Sequence, residues 1–142
     1  MDAFDADVLI YAAIPGHALG RRVRALFSDA RPGDPPVASG VGSVLLLPEL
    51  LSRPMGNGSE DELAALATLL GHIELLPTDQ ATAELATALG AAYGLRAADA
   101  VHLATAVGAG ADRFLTSNKG DFPKAITELA VTYPEDLDDP GP

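Results

Sequence analysis

Four carboxylates stand where apolar runs give way to polar residues. They are Asp5 in Phe4-Asp5-Ala6-Asp7-Val8-Leu9-Ile10-Tyr11, Glu49 in Leu45-Leu46-Leu47-Pro48-Glu49-Leu50, Asp99 in Ala98-Asp99-Ala100-Val101-His102, and Asp121 in Leu115-Thr116-Ser117-Asn118-Lys119-Gly120-Asp121-Phe122. In an alternating α/β chain such junctions are strand ends and helix starts. Ligands of open parallel sheets bind outside those strand ends. Carboxylates gathered on one rim repel each other, so they need protons or a cation. A hard divalent ion suits them, because Mg²⁺ takes oxygen ligands and keeps several waters. The chemistry that follows is phosphoester hydrolysis, in which the ion activates water and stabilises the leaving oxygen. No Cys nucleophile competes with this reading, since the chain has no cysteine.

Each acid also has a plainer role available. A lone Asp in a helical first turn is usually a cap or a partner of the helix dipole. Glu49 alone reads as a solvated helix residue, and Asp121 as a turn former after Gly120. Thr116 and Ser117 can orient a ligand or simply turn the chain. Joint placement favours a site, because four independent caps need not converge on one sheet edge. His102, three residues after Asp99, is expected as a partly buried, hydrogen-bonded imidazole rather than a general base. His17 and His72 fall in connecting segments and are expected to face solvent. Arg21, Arg22 and Arg24 form a basic knot, read as a solvated face, with RNA contact as the minority reading.

The elements that must position these residues alternate as βαβα units do. A very short strand ends at Asp5, and a helix from about Asp7 carries Leu9, Ile10 and Ala13 on one face. Pro15-Gly16 interrupts it, and a second helix spans about Ala18 to Ala30. Arg31 to Pro36 is a loop by composition, followed by a strand near Val37-Ala38 and a helix over Ser43 to Leu51. Pro54 to Gly58 reads as another loop, and Ser59-Glu60-Asp61-Glu62 as a capping box. Ile73 to Leu76, Arg113 to Thr116 and Leu129 to Thr132 are the remaining strands. Between them lie a helix capped by Thr78 or Asp79 and ended by Gly94, and one from Ala97 to Val107. Helical connections of this length imply a mainly parallel sheet with right-handed crossovers.

A chain of 142 residues fits one domain, with 48% hydrophobic residues and few aromatics, so its core is built from Ala, Leu and Val. The start lacks the pattern of a secretory signal, and the longest apolar run is too short to cross a membrane. A cytoplasmic protein with no membrane association is expected. The net charge of −11 weighs against a nucleic-acid partner. It weighs less than its size suggests. Glu135, Asp136, Asp138 and Asp139 crowd a terminal segment expected to fray, and bound divalent ions would offset more.

Taken in order, Asp5-Ala6-Asp7-Val8-Leu9-Ile10-Tyr11, Ser43 with Glu49 six residues on, Ala98-Asp99-Ala100-Val101-His102-Leu103-Ala104-Thr105-Ala106, Leu115-Thr116-Ser117-Asn118-Lys119-Gly120-Asp121-Phe122 and the closing Val131-Thr132-Tyr133-Pro134-Glu135 resemble a PIN domain. Within that family the chain is similar to the VapC toxins of toxin–antitoxin pairs. The resemblance spans nearly the whole chain. It implies an α/β three-layer sandwich around a mainly parallel five-stranded sheet, with residues 1–134 as the nuclease domain and 135–142 as an acidic tail. It further implies an endoribonuclease dependent on Mg²⁺ or Mn²⁺, a homodimer, and a cognate antitoxin as inhibitor. Residue by residue, Asp5, Glu49 and Asp99 match the first three acids. At the fourth, many members have Asp where this chain has Asn118, so Asp121 substitutes for it or supplements it, with Asn118 and Asp121 as metal ligands at the outer side of the site. Asp7, Ser43, Thr116 and Ser117 are candidates for supporting positions. Asp7 adds a carboxylate or caps the first helix.

Two other readings stand beside this one. A catalytically degenerate PIN fold that only binds a protein would use the same acids, neutralised by an inserted Arg. Asp5-Ala6-Asp7-Val8 also fits the start of haloacid-dehalogenase-like phosphatases, with Asp5 as nucleophile. Their later motifs are well separated, however, whereas Lys119 and Gly120-Asp121 are adjacent here.

Overall fold

A computed structural model of the chain describes residues 1–27 and 38–142. Five strands, all parallel, form one sheet in the order β3-β2-β1-β4-β5. They are β1 (Asp2–Phe4), β2 (Gly40–Ser43), β3 (Ile73–Leu76), β4 (Arg113–Leu115) and β5 (Ala130–Thr132). The helices are α1 (Ala6–Ala13), α2 (Ala18–Arg24), α3 (Leu46–Asn57), α4 (Glu60–Leu70), α5 (Gln80–Tyr93) and α6 (Ala97–Gly108).

Alternation along the strands builds a core on each face, and so makes the fold three-layered. Phe4, Ile73 and Leu115 pack with Val8, Leu9, Val23, Leu46, Leu66 and Leu70 from α1 to α4. Ala3, Val41, Phe114 and Val131 pack on the other side with Leu89, Leu103 and Ala104 from α5 and α6. β1 sits in the middle, paired with β2 on one side and β4 on the other. The chain leaves β1 toward β2 and returns on its far side as β4. The gap beyond the carboxyl ends of β1 and β4 is therefore the topological switch point, where such folds bind ligands. No helix among the described residues is long and apolar enough to cross a membrane.

Several local expectations are corrected. Helix α1 buries Ala6, Val8, Leu9 and Ala12, while Ile10 is 40% exposed, because the cap at Asp5 sets the helix phase. α2 ends at Arg24 and tightens into a 3₁₀ turn over Ala25–Phe27. The Arg31–Pro36 loop lies outside the described residues. Of the strand expected near Val37-Ala38, Val37 lies outside the described residues, and β2 begins at Gly40 in a Gly-rich segment. A Cβ at Gly40 would come within 2.3 Å of the Asp2 carbonyl oxygen and 2.6 Å of the Phe4 ring. α3 runs through Pro54, which is buried, and stops at Gly58 in the left-handed region (φ 68°), so the loop expected from Pro54 is helix. Ser59 precedes α4 without a side-chain capping bond, which removes the expected capping box.

The basic knot is not a solvated face. Arg21 pairs with Asp139 at 3.0 Å, and Arg22 donates to the carbonyls of Glu135 and Leu137. Arg24 donates to the carbonyls of Ala12 and Ile14, behind the end of α1. Lys119 pairs with Glu135 and Lys124 with Asp136, and Leu137 is buried in the α1–α4 core. Much of the segment expected to fray is thus held against the domain. His17 is not free either: it stacks on Tyr11 and accepts a hydrogen bond from the Gly20 N–H. His72 is half-buried and lies 6.0 Å from the Phe27 ring.

Candidate active site

Asp5 follows β1 directly and caps α1. Its Oδ1 accepts from the Ala6 N–H at 2.9 Å, and its Oδ2 from the Thr116 hydroxyl at 2.8 Å. Thr116, fully buried past the end of β4, also accepts from the Asn118 N–H at 3.1 Å. Asp5 is 6% exposed. Burial pushes its carboxyl up to about 6, helped by repulsion from Asp7 and opposed by His102, the Thr116 hydroxyl and the Ala6 N–H. The carboxylate is held in place at an electrostatic cost.

Asp7 sits in the first turn of α1 but does not cap it. Its carboxylate accepts from the Ser117 hydroxyl at 2.7 Å and from the Ser117 N–H at 3.1 Å, fastening the loop after β4 to α1. That loop then folds on itself. Asn118 Nδ2 donates to Asp121 Oδ2 at 2.9 Å, and the Asp121 N–H donates to Asn118 Oδ1 at 3.2 Å. Asn118 is thus hydrogen-bonded twice to the acid three residues later.

Asp99 opens α6 and is half-buried. Its carboxyl is raised by burial first, then by a hydrogen bond and repulsion from Asp121 and repulsion from Glu49, with His102 pulling it down. Glu49, in the first turn of α3, accepts at Oε1 from His102 Nε2 at 2.8 Å. His102 is 2% exposed and acts electrostatically on both Asp5 and Asp99. The expected hydrogen-bonded histidine is present, and its partner is an acid of the rim. Sequence reasoning missed that pairing, which joins two helices 53 positions apart and leaves no local signal. Ser43 makes no such contact. It is buried at the end of β2, and its hydroxyl accepts from the Leu45 N–H at 3.1 Å to turn the chain into α3.

Hydrogen bonds thus join Asp5 to Thr116 and through it to Asn118 and Asp121, Asp7 to Ser117, and Glu49 to His102, while Asp99 is tied to Asp121 by a hydrogen bond and to Glu49 and His102 by charge alone. Among the described residues, no three acidic or imidazole side chains converge as a closed metal cage. The donor set still suits a hard cation. It offers carboxylate oxygens, its only imidazole is engaged with Glu49, and two of its acids are raised by crowding and burial. Mg²⁺ asks for only one or two carboxylates and fills its octahedron with water and substrate oxygens. The rim fits that looser demand.

Compared with known families, residues 3–126 match the PIN domain. No curated protein matches the chain. Among solved structures, a toxin–antitoxin complex from Klebsiella pneumoniae is 25% identical with a TM-score of 0.69, covering 94% of this chain and 98% of that one. VapBC2 from Rickettsia felis, bound to a DNA fragment from its promoter, is 14% identical with a TM-score of 0.68, covering 93% and 97%. FitAcB from Neisseria gonorrhoeae is 22% identical with a TM-score of 0.68, covering 96% and 100%. The family match runs from before Asp5 to beyond Asp121 and takes in the whole acidic rim, and the five-stranded parallel sheet agrees with it: the chain belongs to the PIN domain family.

Proposed function

We propose that this chain is a metal-dependent endoribonuclease and the toxin of a toxin–antitoxin pair. What supports the proposal is the mutual pressure of acids on the elements that follow the strands: Asp121 and Glu49 raise Asp99, Asp7 raises the buried Asp5, and the buried His102 lowers both. Asp5, Asp99, Glu49 and Asp121 are the residues that would hold Mg²⁺ or Mn²⁺. When bound, such an ion supplies water activation and neutralisation of charge on the phosphorus centre.

The protein's own share is positioning. Thr116 and the Ala6 N–H fix Asp5 against rotation, Asp7 and Ser117 hold the loop after β4, and Asn118 presents Asp121. An Asn118 that holds Asp121 is compatible with an intact site. An antitoxin partner follows from the resemblance and from relatives solved as toxin–antitoxin complexes. This chain also has an apolar surface to offer, since Ile10, Ile14, Leu47 and Met55 on or just beyond α1 and α3 are exposed. A homodimer would draw on the same kind of surface.

The test uses pure protein and RNA. Cleavage should require Mg²⁺ or Mn²⁺, stop with chelator, stop on addition of the antitoxin, and vanish in Asp5→Asn. RNA left intact by folded wild type with either metal would leave only the protein-binding reading.

A further inference from the structure

His102 is the one imidazole in the apolar run of α6, with Leu103, Ala104 and Ala106 around it all buried. A hydrocarbon side chain would serve the core better there, because His102 Nδ1 is buried with no hydrogen-bond partner. What the imidazole gains is a bond at its other nitrogen. Nε2 meets Glu49 Oε1 at 2.8 Å, with the His102 side chain 1% exposed and the Glu49 side chain 35% exposed. Glu49 is a long, flexible acid on a different helix, and its Oε2 takes no hydrogen bond from the described residues. Left alone, it would sample solvent-facing rotamers.

We infer that His102 is a positioning residue. Its Nε2–H fixes Oε1 of Glu49, so that Oε2 stays at the rim beside Asp99 as a preset cation ligand. This rests on the metal-dependent reading of the rim. It adds a specific claim, that His102 shapes the metal response chiefly through its bond to Glu49. Partners of ligating groups that orient them from behind typically change metal affinity or activity about 10- to 100-fold when removed.

The experiment compares wild type, His102→Leu, His102→Gln, Glu49→Gln and the His102→Leu/Glu49→Gln double variant. The first readout needs no RNA: the Mn²⁺ or Mg²⁺ concentration giving half the maximal rise in melting temperature. The second is the RNA cleavage rate at saturating metal. His102→Leu should raise the half-saturating metal concentration about 10- to 100-fold. His102→Gln, which keeps an N–H within reach of Glu49, should recover most of that loss. In the Glu49→Gln background, His102→Leu should change both readouts far less than it does in wild type.

Equal effects of His102→Leu with and without Glu49 would overturn the inference, as they would show a general packing role. So would an unchanged metal response in His102→Leu. If His102→Leu melts too low to measure, His102→Gln decides: a folded Gln variant as impaired as Glu49→Gln also overturns it. A wild type that ignores both metals overturns the site reading itself and this inference with it. A responsive wild type with an unaffected His102→Leu overturns this inference alone.

Discussion

Asp5 and Asp99 are both acids beside or within the first turn of a helix, yet the protein treats them differently. Asp5 is 6% exposed, with a hydrogen bond to each oxygen. Asp99 is half-exposed, and its main polar neighbour is another carboxyl, that of Asp121. One half of the rim is built of hydrogen-bonded pairs, Asp5 with Thr116 and Asp7 with Ser117. The other half is a set of acids on separate elements, held by each other, by Asn118 and by His102. A fixed ligand on the sheet and adjustable ones on the helices would let the site grip a cation while accommodating a substrate phosphate.

The strongest way to test that division is to remove the buried charge. Burial pushes the folded Asp5 carboxyl up to about 6, against 3.8 for its ordinary value. Between those values the folded state binds more protons than the unfolded one, so stability falls as pH rises through the window. Above it the full cost is present, on the order of 3 kcal/mol at most. Asp5→Asn carries no charge and keeps an acceptor for the Ala6 N–H. In metal-free protein its advantage over wild type should be near zero at about pH 4 and reach up to about 3 kcal/mol by pH 7.5. Urea unfolding at both pH values measures this. An advantage that does not grow with pH would mean that Asp5 is not held as a costly carboxylate.

A smaller effect probes the network rather than the charge. Thr116→Val deletes the hydroxyl that donates to Asp5 and accepts from the Asn118 N–H. The shape is kept, but two buried groups lose a partner, which should cost about 1–3 kcal/mol. Losing a group that lowers the Asp5 carboxyl should also raise its titration further. A Val variant as stable as wild type would show that the buried half tolerates disorder as the exposed half does.

The sequence conveyed the rim more readily than the scaffold beneath it. Asp5, Asp99, Asn118 and Asp121 were legible because each stands at a junction between apolar and polar runs. β2 was not legible, since Gly40-Val41-Gly42-Ser43 has little strand propensity and is shaped by the space that Phe4 and Leu46 take. Pro54 hid the second half of α3 for a related reason: its local preference to end a helix is overridden by burial. The Arg knot and the acidic segment looked like two solvated features because their attraction links residues more than 110 positions apart. Glu49 and His102, 53 positions apart, were each visible, but their bond depends on how α3 and α6 lie across the sheet end.

The smallest expected stability change belongs to Asp99, and its smallness is the informative part. Asp99→Asn removes a charge from beside Asp121 and Glu49 while keeping nearly the same shape. Relief of that repulsion, screened by solvent at a half-exposed site, should leave the metal-free protein equally or slightly more stable. If Asp99 served only the dipole of α6, the same change would cost up to about 1 kcal/mol and leave cleavage intact. If it is an adjustable ligand, the variant should lose both its thermal response to Mg²⁺ or Mn²⁺ and its RNA cleavage without losing stability. Melting curves with and without metal, run beside a cleavage gel, separate the two. An active, metal-responsive Asp99→Asn would reduce the site to its buried half and leave Asp99 as a helix-end acid.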